Sequence, residues 1–213
     1  MAERPFMGVP MLVGPGVLVP RAETELLGHA TKRLLAEMSG VPLVVDMCCG
    51  SGNLACALAL AAPEARVVAS DLTEASVALT RRNVDRLGLQ RRITVVQGDL
   101  FAGIDPALQG AVDLVVCNPP YISTGRLARD RAELLANEPR EAFDGGPYGI
   151  AIQQRVVREA AAYLRKGSWL AFEIGHGQER QASALLARAG DFERPHPVKD
   201  QTGEVRVMMA RRS

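Results

Sequence analysis

The chain has 213 residues, 47% of them hydrophobic, and carries 25 Lys and Arg against 24 Asp and Glu. That length suits one α/β domain with a sizeable core, and the balanced charge argues against a nucleic-acid binder, whose footprint is a basic excess. Nothing in it reads as a signal peptide or a membrane span, so no membrane partner is expected.

Residues 1–40 read as an N-terminal arm and helix. Phe6 to Pro20 is rich in Gly, Pro and Val, which predicts an extended arm or a short hairpin. Ala22 to Met38 carries Leu26, Leu27, Leu34 and Leu35 at helical spacing. From residue 41 to residue 213, strands and helices alternate. Leu43 to Met47 is a short apolar run, hence a buried strand, and Asn53 to Ala62 is an Ala- and Leu-rich helix stopped by Pro63. Arg66 to Ser70 is the second strand. Thr73 then caps a helix through Leu87, with Val77, Val84 and Leu87 on one face and Gly88 as its stop. Ile93 to Val96 and Val112 to Cys117 are strands three and four. Residues 122–148 are polar and loop-rich around a short helix, Arg126 to Ala136, and form a candidate substrate-facing insertion. A helix near Ile150 to Leu164, a strand Trp169 to Glu173 and a helix Gln178 to Ala189 follow. Two closing strands, Phe192 to Pro195 and Glu204 to Met209, have no clear helix between them and predict an antiparallel edge. The alternation implies an α/β fold whose mostly parallel sheet is covered on both faces.

Cys48, Cys49, Cys56 and Cys117 fall in apolar elements and match no zinc spacing, so buried, reduced thiols in a cytoplasmic protein are expected. His29, His176 and His196 form no cluster, and no metal is expected.

The chemistry gathers at strand ends. Asp46-Met47-Cys48-Cys49-Gly50-Ser51-Gly52 joins strand one to the helix that opens at Asn53. Its glycines allow a ligand close to the backbone, and the helix start offers free N–H groups. Asp71, followed by Leu72, ends strand two, where a carboxylate can accept ribose hydroxyls or cap the next helix. Asp99 ends strand three and could accept from an adenine amine, with Leu100 and Phe101 lining the ring. Asn118-Pro119-Pro120-Tyr121 ends strand four. The prolines lack backbone N–H groups and fix their own φ, so the carbonyls in this segment are rigidly aimed. The Asn118 amide and the Pro119 carbonyl can hold the two hydrogens of a planar –NH2 group and leave its lone pair facing outward, while Tyr121 stacks on a flat group. An acceptor nitrogen held this way can lose its proton after it becomes cationic, so no strong base is needed. This set suits S-adenosylmethionine better than NAD, although Gly50-x-Gly52-x-x-Ala55 alone also fits a dinucleotide fingerprint and an NAD-dependent oxidoreductase. A non-catalytic binding module is a further reading; failure to bind S-adenosylmethionine would favour it.

With these residues in hand, the chain resembles the protein-(glutamine-N5) methyltransferases of the HemK/PrmC type. Val19-Pro20-Arg21-Ala22-Glu23-Thr24-Glu25, Glu138-Pro139 through Asp144-Gly145-Gly146, Glu173-Ile174-Gly175 with Gln178, and Asp200 through Gly203 to Arg206-Val207 all resemble segments of that family. The resemblance implies a Rossmann-like class I methyltransferase fold: a mostly parallel seven-stranded sheet with helices on both faces and an antiparallel edge strand. It implies S-adenosylmethionine as cofactor, held by Asp46, Cys48, Gly50, Gly52 and Asn53, by Asp71 with Leu72 and Asp99 with Leu100, by Asn118, and by Arg21 and Thr24. Asn118, Pro119, Pro120 and Tyr121 become the catalytic segment. Cys48 stands where many relatives have a glycine, and is expected to keep a negative φ. The segment Pro20 to Glu25 is expected to fold over the cofactor pocket, so that deleting residues 1–24 abolishes activity but leaves a folded core. Family members carry an N-terminal helical domain that docks the release factor; the short stretch before strand one implies a form lacking it. The acceptor is then a protein glutamine or a small-molecule nitrogen. A base amine in nucleic acid is chemically compatible, but the balanced charge disfavours it.

Overall fold

A computed structural model describes residues 2–130 and 138–213. The part of the expected 126–136 helix beyond Asp130 lies outside the described residues. Strands β1 (Ala2–Phe6) and β2 (Val9–Val13) form an antiparallel hairpin, turned at Met7 and Gly8 with φ of 49° and 79°. Both central residues having positive φ makes the tight reversal that suits twisted strands. Helix α1 (Thr24–Ala36) follows. The main sheet then builds from β3 (Leu43–Met47), α2 (Asn53–Ala61), β4 (Arg66–Asp71), α3 (Glu74–Arg86), β5 (Ile93–Gln97) and β6 (Val112–Cys117). Helix α4 (Thr124–Asp130) precedes α5 (Ala151–Tyr163), β7 (Leu164–Glu173), α6 (Glu179–Ala189), β8 (His196–Lys199) and β9 (Val205–Arg211).

The sheet order is β5-β4-β3-β6-β7-β9-β8. All pairings from β5 to β7 are parallel, and β9 runs antiparallel to both β7 and β8. Because β6 is buried at every residue, it reads as a continuous apolar run rather than an alternating one. Period-two alternation still sorts its side chains. Val115 and Cys117 join Val45, Met47 and Phe172 in a core beneath α5 and α6. Leu114 and Val116 join Val44 and Ala171 in a second core beneath α1 and α2.

Phe6 and Met11 are 1% and 0% exposed and belong to that second core. The hairpin is tied down further by Asn83 of α3, itself fully buried. Its Oδ1 accepts the Leu12 N–H at 2.8 Å, and its Nδ2 donates to the Leu12 and Ser51 carbonyls. The hairpin is therefore anchored in the core through Phe6 and Met11, while Ala2 to Pro5 stay exposed.

Two strand boundaries differ from the sequence reading. Strand β7 begins at Leu164, five residues before Trp169, because Gly167 at φ 80° accommodates an irregularity in its pairing with β6. The first closing strand is His196–Lys199; Phe192 makes only an isolated bridge to Arg212. Strand β8 is the outer edge, where Pro197, which lacks an N–H, is tolerated.

Candidate active site

Strand order reverses at β3, which pairs with β4 on one side and β6 on the other. The loops leaving β3 and β6 therefore part, and a crevice opens between them at the carboxyl ends of the strands.

The loop after β3 is held from below. Asp46 is fully buried; its Oδ2 accepts the Ala55 N–H at 2.9 Å, while Oδ1 has no hydrogen-bond partner among the described residues. Burial pushes its pKa up to about 8, with the Ala55 N–H opposing and Asp71 adding to the rise. Gly52 is left-handed at φ 76°, and a Cβ there would come within 2.7 Å of Thr80. Gly50 is also left-handed, but a Cβ on it would meet nothing within 4 Å, so the space above it is open. Cys48 departs from expectation: its φ is +58°, in the region that favours glycine. The chain must turn there for Cys49 to donate its N–H to the Ser70 carbonyl of β4 at 3.0 Å.

Asp71 steadies the same turn. Its Oδ2 accepts the Gly50 N–H at 2.9 Å and its Oδ1 the Thr73 N–H at 3.0 Å. The Thr73 hydroxyl in turn accepts from the Ser76 N–H and caps α3. Asp99 receives Arg155 Nη1 at 2.8 and 3.1 Å on its two oxygens. Phe101, expected beside Asp99 on a ligand ring, turns into the core and packs on Tyr163 with centroids 4.9 Å apart. Leu100 lines the cavity instead, with φ of +52°.

A cavity of about 530 Å³ fills the crevice. Cys48, Gly50, Asp71, Leu72, Asp99 and Leu100 line it, as do Asn118 and Pro120. A second cavity of about 550 Å³ lies on the other side of Asn118, walled by Pro119, Tyr121, Arg21, Glu173 and Arg206. Thr24 and Asn53 border a small recess beside the β3 loop. Asp46 and Gly52 line none of these; they support the turn.

The loop after β6 is fixed by neighbours from three other elements. Asn118 Nδ2 donates to the Thr24 hydroxyl at the start of α1, at 3.0 Å. Tyr121 donates its hydroxyl to Glu173 Oε1 at the end of β7, at 3.0 Å. Gln178 Nε2 donates to the Tyr121 carbonyl at 2.9 Å and to the Gly149 carbonyl at 3.1 Å. Burial, and after it Glu173, raises the Tyr121 phenol well above its ordinary pKa. Arg21 is paired with Glu138, whose other oxygen accepts the Val19 N–H, so the arm is laced to the 122–148 segment.

Glu173 and Arg206 were not among the sequence-derived site residues, although both sit in segments quoted for the resemblance. The signal for Glu173 was available: a carboxylate closing an otherwise apolar strand. It is 2% exposed and 3.9 Å from Arg206.

The residues present fit an adenosyl sulfonium cofactor. The open space over Gly50 and the strand-end carboxylates of Asp71 and Asp99 on the wall of the first cavity supply room and acceptors for a ligand rich in hydroxyl and amino donors. Among the described residues, no group of three or more His, Cys, Asp or Glu could hold a metal ion.

The model of the methyltransferase small domain family matches residues 24–147. The chain belongs to that family. A release factor glutamine methyltransferase of Moorella thermoacetica is 36% identical over 97% of this chain and 71% of its own length. A 4-amino-L-phenylalanine/4-methylamino-L-phenylalanine methyltransferase of Streptomyces pristinaespiralis is 39% identical over 87% of this chain and 63% of its own. The crystal structure of a release-factor-specific protein-(glutamine-N5) methyltransferase from Alicyclobacillus acidocaldarius matches with a TM-score of 0.56 at 27% identity, covering 95% of this chain and 99% of that one. The chain spans between 59% and 71% of the length of the curated relatives it matches. The cofactor of this methyltransferase is S-adenosylmethionine, and the fold expected from the sequence is the one observed.

Proposed function

We propose that this methyltransferase transfers a methyl group from S-adenosylmethionine to an amide or amine nitrogen, with a protein glutamine side chain as acceptor. One observation carries the reading: Asn118 forms part of the wall between the two cavities, with its Nδ2 tied back to Thr24. That leaves the Oδ1 end of the amide for a ligand. When bound, the cofactor supplies an electrophilic methyl on a sulfonium. Asn118 Oδ1 and the Pro119 carbonyl then orient the acceptor –NH2 so that its lone pair faces the first cavity. The Tyr121 ring, steadied through both its hydroxyl and its carbonyl, forms the side of the slot. Catalysis of this kind is mainly proximity and orientation, worth up to about 7–11 kcal/mol in well-aligned systems.

A small-molecule acceptor is the second reading, favoured by the 39% identity to the aminophenylalanine enzyme and by an acceptor cavity of small-ligand size, about 550 Å³. Labelled-methyl transfer to a glutamine-containing peptide and to 4-amino-L-phenylalanine separates the two. Transfer to the peptide alone supports the first reading, transfer to the amino acid alone supports the second, and transfer to neither rejects both. A cytoplasmic setting belongs to the same proposal: all four cysteines are free and three are buried. No helix among the described residues is long and apolar enough to cross a membrane.

A further inference from the structure

Two glutamines stand behind the acceptor slot. Gln178, the residue before α6, has both donors and both acceptor positions of its side-chain amide filled. Its Oε1 accepts the Gly175 N–H at 2.8 Å and Gln153 Nε2 at 3.0 Å. Its Nε2 donates to the Tyr121 carbonyl at 2.9 Å and to the Gly149 carbonyl at 3.1 Å. A main-chain N–H on one side and two main-chain carbonyls on the other admit only this orientation of the amide. Glycines make room for it. A Cβ on Gly149, which sits at φ 72°, would come within 2.5 Å of the Tyr121 carbonyl oxygen and 3.0 Å of Gln178 Nε2. A Cβ on Gly175 would come within 3.0 Å of both Gln178 Oε1 and the Tyr121 ring. Gln153, in the first turn of α5, is fully buried; its Nε2 is spent on Gln178, while its Oε1 has no hydrogen-bond partner among the described residues.

We infer that Gln178 and, behind it, Gln153 are positioning residues for the acceptor, clamping the Tyr121 end of the catalytic segment to the 144–150 turn. This rests on the acceptor-orienting reading above. The two prolines fix their own φ, but Tyr121 is the first residue after them that is free to turn. Gln178 takes up that freedom by holding the Tyr121 carbonyl and Gly149 with one –NH2 group. The clamp continues along the chain: the Ile122 N–H donates to the Phe143 carbonyl at 2.9 Å, and the Gly145 N–H to the Ile122 carbonyl at 2.8 Å. Without Gln178 the Tyr121 ring can tilt away from Pro119, and the acceptor nitrogen is held less squarely to the methyl group. Gln153 separates this role from mere packing. A buried amide with an unmatched oxygen costs stability, and an apolar side chain of similar length would carry no such cost. What the amide at 153 supplies in return is one hydrogen bond, to the side chain that holds Tyr121.

The test is Gln178→Met, Gln178→Glu and Gln153→Met in the full chain, read by thermal melting, S-adenosylmethionine calorimetry, NMR of the Tyr121 ring, and kcat and KM on the two acceptors named above. Gln178→Met should bind S-adenosylmethionine within about twofold of the parent and lose at least about tenfold in kcat, the scale of a misaligned reacting group. Gln178→Glu sets an oxygen against two carbonyls and should lose as much. Relative to the parent it should recover as the pH falls, when its carboxyl gains a proton with which to donate. Gln153→Met should melt no lower than the parent and still lose about threefold or more in kcat, a smaller misalignment passed through Gln178. The Tyr121 ring resonances should move in all three. Parental kcat in Gln178→Met overturns the inference, as does a Gln153→Met protein that melts lower with kcat unchanged. If Gln178→Met fails to fold, Gln153→Met decides alone: parental kcat and an unmoved Tyr121 ring overturn the inference. If the parent methylates neither acceptor, the acceptor reading fails, and the Tyr121 resonances in Gln153→Met still decide whether the clamp reaches the catalytic segment.

Discussion

Asn118 borders both cavities and, on the function proposed above, orients the acceptor; substitution separates the two tasks. Asn118→Ala should lower turnover by about 100-fold or more through lost orientation. S-adenosylmethionine affinity should stay nearly unchanged, because most of the first cavity's lining, including Cys48, Gly50, Asp71 and Asp99, lies on other elements; steady-state rates and calorimetry read the two quantities. Asn118→Asp should lose less, since it keeps an acceptor, but it cannot donate to Thr24. Asp46 gives a prediction of a different kind. Its folded pKa is about 8 against an ordinary 3.8, so between those values the folded protein holds a proton that the unfolded chain does not. Stability from this group is fully present below about pH 4 and declines as pH rises towards 8, opposite to a carboxylate in an ion pair. Asp46→Asn, which cannot titrate but can still accept from Ala55, should flatten the melting temperature between pH 5 and 8. An unchanged slope in that variant would remove Asp46 as the cause.

At the scale of elements, the N-terminal hairpin changes most between sequence and structure. From sequence, Phe6 to Pro20 reads as an extended arm or short hairpin, with Pro20 to Glu25 folding over the pocket and a core that stays folded when residues 1–24 are deleted. The structure supports the covering role, because Leu18 lines both cavities and Thr24 bonds Asn118. It argues against dispensability, because Phe6 and Met11 are core residues and Asn83 is buried against Leu12. Met11→Ala should destabilise the domain by about 2–5 kcal/mol, the range for emptying a packed site, read as a lower urea midpoint. A change below about 0.5 kcal/mol, as at exposed positions, would mean the hairpin is merely draped on the surface. Strands β3 to β6 and helices α2, α3 and α5 were readable because apolar runs and helical spacing are local signals. The Cys48 conformation was not readable, because its positive φ follows from a hydrogen bond to β4, twenty residues on. The Phe101 orientation was equally hidden: Leu100 and Phe101 are both apolar, and only the third-dimensional position of Tyr163 decides which one faces inward.

For the whole molecule, the placing of Asp71, Asp99 and Asn118 around one crevice was readable as soon as strand order was assumed parallel, since all three end strands. The second cavity was not, because its walls come from the ends of β6, β7 and β9, the start of α1 and the 122–148 segment, which no sequence window spans. The two cavities meet at Leu18, Asn118 and Ala142 and otherwise have separate linings, with the exposed Leu72 beside one and the exposed Tyr148 beside the other. On the proposed function, each ligand then has its own cavity, with few lining residues in common. Neither needs the other to leave before it can enter, so initial-rate plots should intersect rather than run parallel, and S-adenosylhomocysteine should compete with the cofactor without competing with the acceptor. Once methylated, an acceptor can stay seated while the spent cofactor is exchanged next door, and a nitrogen with a remaining hydrogen could be methylated again in a single encounter.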